Sequence, residues 1–269
     1  MQLYATGFNA WRQLEFDGSS SPPDGPDNPD DIVSFRPVLK DHHIGRPYAS
    51  LSYTLVYHEE KKLICQYASL SAAERGEAEA SCTYAVPDGI LQLAAYETGF
   101  AALSARGDVM TWGDERYCAC LGREPTNASP AETPGIVQEL RDLPTGKIKK
   151  IAAGGYVLLA LTEGDDLYAW GGHPGRPALI EDISGSPMPV IVEEHDITDC
   201  AVGESHIIVL TEDGHVYMIG DNNNGQLGLT VSNVASWTKV AVPLALGQSI
   251  VAVEAGPRSS LVLTKHQAS

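Results

Sequence analysis

Apolar runs four to six residues long recur along the chain in pairs, each pair split by a short polar turn containing glycine or aspartate. This pattern predicts β-hairpins. In the clearest copy, the strands His206–Leu210 and His215–Ile219 flank the turn Thr211–Gly214; Ala201-Val202-Gly203-Glu204 leads in and Gly220 closes. The pattern returns as Tyr156–Leu161 and Asp166–Trp170 around Thr162–Asp165, led by Ala152–Gly155 and closed by Gly171. It returns again as Phe100–Leu103 and Val109–Trp112 around Ser104–Asp108, led by Ala94–Glu97 and closed by Gly113.

The closing glycines measure a period. Gly113 to Gly171 is 58 residues, Gly171 to Gly220 is 49, and Gly7 to Gly113 is 106, which is two periods of 53. A degenerate copy fits the gap at Tyr48–Tyr67, with apolar strands on either side of Glu59–Lys62. Five units result, and Gly18–Pro47 or Ser71–Asp88 leaves room for a further weak strand pair. The last copy, Val253–Gly256 followed by Ser260–Leu263, stops as its turn begins. Leu3–Gly7, with Asn9 and Gln13-Leu14, matches Val216–Gly220, Asn222 and Gln226-Leu227, so the N-terminus supplies the missing strand. A repeat near 50 residues whose last unit is completed by the first strand predicts an all-β propeller of about five blades. Its ring is closed by the N- and C-terminal strands in one blade, which leaves only short, protected edges.

The series GESHIIVLTEDGHVYMIGDNNNGQLG, residues 203–228, resembles the repeat of the regulator-of-chromosome-condensation family, whose pattern is roughly G-x-x-H-S/T-x-x-L-T-x-x-G-x-V-Y-x-W-G-x-N-x-x-G-Q-L-G. Ala201–Leu229 matches strongly, and Leu91–Gly122 and Ile148–Gly171 match less well. The resemblance implies a propeller of four-stranded blades, usually seven, and at the observed spacing this chain is too short for seven. His206 stands at the family's histidine position and reads as a structural histidine. Trp112 and Trp170 stand at its tryptophan position and read as core.

Composition suits a single domain over residues 1–269, with 43% hydrophobic residues for a core and Gly 26 and Pro 17 for tight turns. Residues 18–31, GSSSPPDGPDNPDD, read as a disordered loop. Ser69–Ala80 reads as a short surface helix or a mobile insertion. The net charge of −17 repels phosphate backbones, so no direct nucleic-acid binding is expected. No run of about 18 uncharged apolar residues occurs, so no membrane span is expected. The opening residues enter a strand without a basic region and apolar core, and the five cysteines are odd in number. Both features point to reduced thiols in an intracellular, cytoplasmic or nuclear setting.

Chemistry-bearing motifs are sparse. Cys118-x-Cys120 lacks the second pair that a zinc site needs, and no Ser-centred elbow or second imidazole accompanies His206. The reading is a non-enzymatic protein with no cofactor and no metal. Recognition by loops remains. Trp11 and Arg12, in the loop after Gly7, are the first candidates for partner contact, because Trp and Arg dominate binding hot spots. Arg116 and Tyr117 occupy the equivalent loop of another unit, and His173, Arg176 and Arg258 complete the candidate set.

The resemblance implies an adaptor that holds a protein partner on its propeller loops. The opening LYATGFNAWRQL is similar to that of the fungal alpha-tubulin-suppressor propellers, through Tyr4, Gly7, Asn9, Arg12, Gln13 and Leu14. That likeness implies an accessory role in diphthamide synthesis and Elongator-dependent tRNA wobble modification, with a small zinc-ribbon protein as partner, and the net charge of −17 suits a basic protein. The alternative is guanine-nucleotide exchange on a small GTPase, the activity of the family's founding member. No residue-by-residue match to that member's exchange wedge is found here.

Overall fold

The structure is a computed structural model, and it describes residues 2–7, 32–40, 54–58, 62–67, 82–86 and 89–266. In chain order its strands are β1 (Gln2–Gly7), β2 (Ile32–Lys40), β3 (Thr54–His58), β4 (Leu63–Tyr67), β5 (Cys82–Ala85), β6 (Ile90–Tyr96), β7 (Gly99–Ser104), β8 (Val109–Gly113) and β9 (Gly135–Ile136). These are followed by β10 (Ile148–Gly154), β11 (Val157–Thr162), β12 (Leu167–Gly171), β13 (Met188–Val190), β14 (Ile197–Val202), β15 (His206–Thr211), β16 (Val216–Asp221), β17 (Asn233–Val240), β18 (Gln248–Gly256) and β19 (Ser259–His266). Among the described residues they form five antiparallel sheets: β3-β4-β5, β6-β7-β8-β9, β10-β11-β12-β13, β14-β15-β16-β17 and β18-β19-β1-β2.

Each hairpin of the three clear copies is the middle of one sheet, whereas the degenerate copy supplies β3 and β4 of a three-stranded sheet with β3 at its edge. β11 and β15 are buried at every position, which is why their sequences, VLLALT and HIIVLT, read as unbroken apolar runs. The outermost strands carry a weaker signal. β17 mixes exposed and half-buried positions, and β2 places Pro37 within its span, a residue tolerated only where the ladder is incomplete. β2 and β5 lie within the two stretches that left room for weak strands. They serve as outer strands of sheets already counted, and the described residues hold five units. The candidate loop 18–31 and the insertion 69–80 lie outside the described residues.

The chain divides into two compact units, Met1–Ala49 with Ile191–Ser269, and Ser50–Val190. In the first, β1 lies between β19 and β2, pairing with β19 in unbroken register from Gln2↔Thr264 to Gly7↔Ser259. The two chain ends therefore share one sheet, as the split repeat predicts. Tyr4 and Phe35 join Ile208, Met218, Leu227 and Val262 in the core of this unit. In the second unit, one core gathers Leu103, Ile151, Leu158 and Trp170, and another gathers Ile64, Ala102, Met110 and Trp112.

Neighbouring sheets within each unit are joined at their first strands. β6, β10, β14 and β18 all carry a bulge near their start, between Ile90/Gln92, Ile148/Lys150, Ile197/Asp199 and Ile250/Ala252. Beyond the bulge a polar side chain reaches the next sheet's open edge. The Gln92 amide donates to the Ile151 carbonyl (2.6 Å) and accepts from the Ile151 N–H (3.0 Å). The Asp199 carboxylate accepts from the Val253 N–H at 2.9 Å. These clasps satisfy backbone groups that would otherwise be exposed on a strand edge.

His206 ties two sheets of the first unit together. Its Nε2–H donates to the Ser260 hydroxyl (2.9 Å), which in turn donates to the Gln226 carbonyl (2.8 Å). The ring is completely buried, its Nδ1 has no partner, and burial lowers its pKa from 6.5 to about 4. A depressed folded-state value means that the neutral ring contributes stability present in full above about pH 6.5 and lost as pH falls toward 4. At about 1.4 kcal/mol per pH unit, that contribution is at most about 3 kcal/mol. Urea unfolding between pH 7.5 and 4.5 should therefore show a falling midpoint. His206→Asn, which keeps a donor but cannot titrate, should be less stable at neutral pH and should lose much of that slope.

Candidate functional site

A tight backbone approach builds the site. At the end of β8 and of β12 the chain passes against the turn that precedes the middle strand of its own sheet. A Cβ on Gly113 would overlap the Thr98 carbonyl oxygen, and one on Gly171 would overlap that of Tyr156. Only glycine fits. The next N–H then donates to the same carbonyl: Asp114 to Thr98 at 2.9 Å and Gly172 to Tyr156 at 2.8 Å. The Glu97 N–H donates to the Gly155 carbonyl (2.8 Å), linking the turn between β6 and β7 to the turn between β10 and β11.

From below, a short helix, α1 (Cys118–Leu121), braces the same turn. The buried Cys120 thiol donates toward the Tyr156 carbonyl at 3.4 Å, and burial pushes it up to about 11, so it stays protonated. The Cys120 carbonyl accepts from Trp170 Nε1 at 3.1 Å. Gly122 ends the helix at φ +63° with its Cα against the Trp170 indole.

These constraints bring five side chains together at one end of two neighbouring sheets. Tyr117, Tyr156 and His173 form a triangle of rings, with centroids 5.5 Å apart for Tyr117–Tyr156, 5.6 Å for Tyr117–His173 and 4.7 Å for the edge-on Tyr156–His173 pair. The Arg176 guanidinium lies 5.5 Å from the Tyr156 ring centre, and that of Arg116 lies 6.0 Å from Tyr117. All three rings are half-buried and both arginines are exposed. Arg116, although 78% exposed, is neutralised by Asp114: its Nε lies 3.0 Å from both carboxylate oxygens, and its hydrogen bonds hold that carboxyl below the usual range. The Gly175 N–H donates to His173 Nδ1 at 2.9 Å, which leaves the ring proton on Nε2. Burial, with Tyr117 and Glu97 nearby, raises the Tyr156 phenol, which therefore remains a donor.

Four of the seven contact candidates thus meet in one patch: Arg116, Tyr117, His173 and Arg176. Arg258 lies in the other compact unit, at the turn between β18 and β19, where its Nε pairs with Glu204 at 3.1 Å. Trp11 and Arg12 lie outside the described residues. Tyr156 is the member missed from sequence. It reads as the first residue of an apolar strand, but β11 begins at Val157 and Tyr156 occupies the turn before it. The available signal was its alignment with Ser205, a turn residue in the clearest copy. Cys118 is exposed and Cys120 buried, so the two thiols diverge. Among the described residues no group of three or more His, Cys, Asp or Glu side chains is placed to hold a metal, and no helix is long and apolar enough to cross a membrane.

Comparison with known proteins places these features in context. Residues 197–226 and 213–263 match the family described as Regulator of chromosome condensation (RCC1) repeat. Over 170 residues, 61% of this chain, it is 33% identical to the E3 ubiquitin-protein ligase HERC2 of Homo sapiens, of which it spans 3%. Over 149 residues, 53% of this chain, it is 31% identical to human Regulator of chromosome condensation, of which it spans 34%. The chain thus covers well under half the length of either relative. Among solved structures, Prp20p from Saccharomyces cerevisiae, described with its binding properties to Gsp1p and histones, superposes with a TM-score of 0.60 at 18% identity, over 81% of this chain and 55% of that one. That likeness shows the fold, a β-propeller.

The brace under the patch is open to test. Gly122→Ala would force a left-handed φ on a residue with a Cβ and push that Cβ to 2.6 Å from Trp170 Nε1. A loss of about 2–4 kcal/mol in urea unfolding is expected, from backbone strain plus the Trp170–Cys120 hydrogen bond.

Proposed function

We propose that this chain, a protein of the regulator-of-chromosome-condensation (RCC1) repeat family, is a docking module that holds a protein partner against the Tyr117–Tyr156–His173 patch and its two flanking arginines. The observation that carries this reading is the patch itself. Rings and guanidinium groups are gathered at the sheet ends on loops whose backbone is fixed from two sides, so little conformational freedom is lost when a partner settles there. Tyr and Arg in such a setting are the residues that most often dominate binding energy. No chemistry is required of these groups, and the role is recognition.

The narrower reading is an accessory role in diphthamide synthesis and Elongator-dependent tRNA modification, with a basic or zinc-ribbon partner. It rests on the N-terminal likeness, of which Tyr4 and Gly7 lie among the described residues, and for a basic partner on the net charge of −17. Ubiquitin transfer is not carried over from HERC2, of which the chain spans 3%. Nucleotide exchange on a small GTPase draws support from the likeness to human Regulator of chromosome condensation, and no geometry in the patch favours it over docking.

Affinity purification of the tagged chain, followed by a binding titration with each stoichiometric partner recovered, tests the docking role. Tyr156→Ala and Arg176→Ala are expected to weaken that complex at least about tenfold each; Arg176→Ala should leave the urea midpoint within experimental error, while Tyr156→Ala, which removes a half-buried ring packed on the core, should cost about 1–2 kcal/mol. Unchanged affinity in both variants would move the contact surface elsewhere. Acceleration of nucleotide release across a panel of small GTPases would favour exchange instead.

A further inference from the structure

The polar atoms of the patch share one character. The Arg176 guanidinium, His173 Nε2–H and the phenols of Tyr117 and Tyr156 all offer protons. Of the arginines picked out along the chain and described, Arg116 is already paired with Asp114 and Arg258 with Glu204. Arg176 is held by the face of a ring and not by a carboxylate. In a chain of net charge −17, a guanidinium left without its own acid beside an imidazole N–H is a charge open to an acidic group of a partner.

We infer that the Arg176–Tyr156–His173 corner receives a single carboxylate, an Asp or Glu side chain of a partner protein, with an adjoining aromatic or apolar residue of that partner lying over the rings. This inference rests on the docking role proposed above. Arg176 takes the carboxylate through its fork of N–H groups while its other face stays on Tyr156, and His173 Nε2–H supplies a further donor. Glu97 lies near enough to act on Tyr156 and sets one carboxylate beside the corner. Its repulsion grows with the charge of the incoming group, so a polyphosphate strand or a doubly charged phosphopeptide fits less well than one carboxylate.

The test uses the full chain, isotopically labelled, with the Arg176 side-chain N–H and the Tyr117 and Tyr156 ring resonances as reporters. The probes are N-acetyl-Phe-Glu-Phe-amide, its Phe-Gln-Phe counterpart, the corresponding phosphoserine tripeptide and a short oligouridylate. The Glu peptide should move these resonances and bind about three- to fivefold more tightly than the Gln peptide, the range of an exposed but well-oriented ion pair. Arg176→Gln, at an exposed position, should erase that difference, and Tyr156→Phe should preserve it. Equal binding of the Glu and Gln peptides at these rings, or tighter binding of the phosphopeptide or oligonucleotide, overturns the carboxylate preference while leaving the docking role standing. If no probe moves the reporters, the inference fails; if the Tyr156 and Arg176 variants also capture the partner unchanged, the docking role fails with it.

Discussion

A carbonyl oxygen standing where a side chain would begin is the constraint on which this structure turns. At the end of the third strand of its sheet the backbone comes so close to the turn before the second strand that Gly113 and Gly171 leave no space for a Cβ, and Gly220 adopts φ +119° at the same place. The N–H that follows each glycine then bonds to that turn: Asp114 to Thr98, Gly172 to Tyr156 and Asp221 to Ser205. The hairpin is locked at the end where loops emerge. A loop leaving a locked hairpin starts from a defined point in a defined direction, and this gives Tyr117, Tyr156 and His173 their fixed mutual distances.

The second requirement of a repeat fold is that its edges be satisfied. Within each compact unit, one repeat meets it by lending a side chain to the next: Gln92 to Ile151, Asp199 to Val253 and His206 to the Ser260 hydroxyl. The identities differ while the geometry is held, because an amide and a carboxylate can each accept from the same backbone N–H. Cys120 illustrates the same economy. It stands two residues before the left-handed Gly122, as Gln226 stands two before the left-handed Gly228, and in both cases the carbonyl is satisfied from the following sheet, by Trp170 and by Ser260. The thiol is then free to steady the Tyr156 turn.

Surface charge and local chemistry separate in this protein. The net charge is strongly negative, yet several described arginines are spoken for by nearby acids or carbonyls. Arg123 spends its guanidinium on the carbonyls of Thr111, Ser129, Pro130 and Thr133, and Arg141 pairs with Asp108. Arg176 differs because its nearest organised neighbour is a π-face, which orients the group without neutralising it. Orientation without neutralisation is what leaves a charge available to a partner.

Read from the amino acids alone, the chain already determined its hairpins, its period and the sharing of one sheet by its two ends. These are local or strictly periodic properties: a buried middle strand must be apolar throughout, and a glycine must recur wherever a carbonyl takes the place of Cβ. The outer strands were beyond that reading, because β2, β13 and β17 carry exposed positions without clean alternation and β9 is only two residues long. Arg116, Tyr117, His173 and Arg176 were legible as separate loop residues, but their meeting was not, since the two pairs stand 56 to 60 positions apart in the chain. Tyr156 was hidden by a one-residue question of where a strand begins. Only the folded chain, by bringing one sheet's turn beside its neighbour's loops, decided that it would be the centre of the patch.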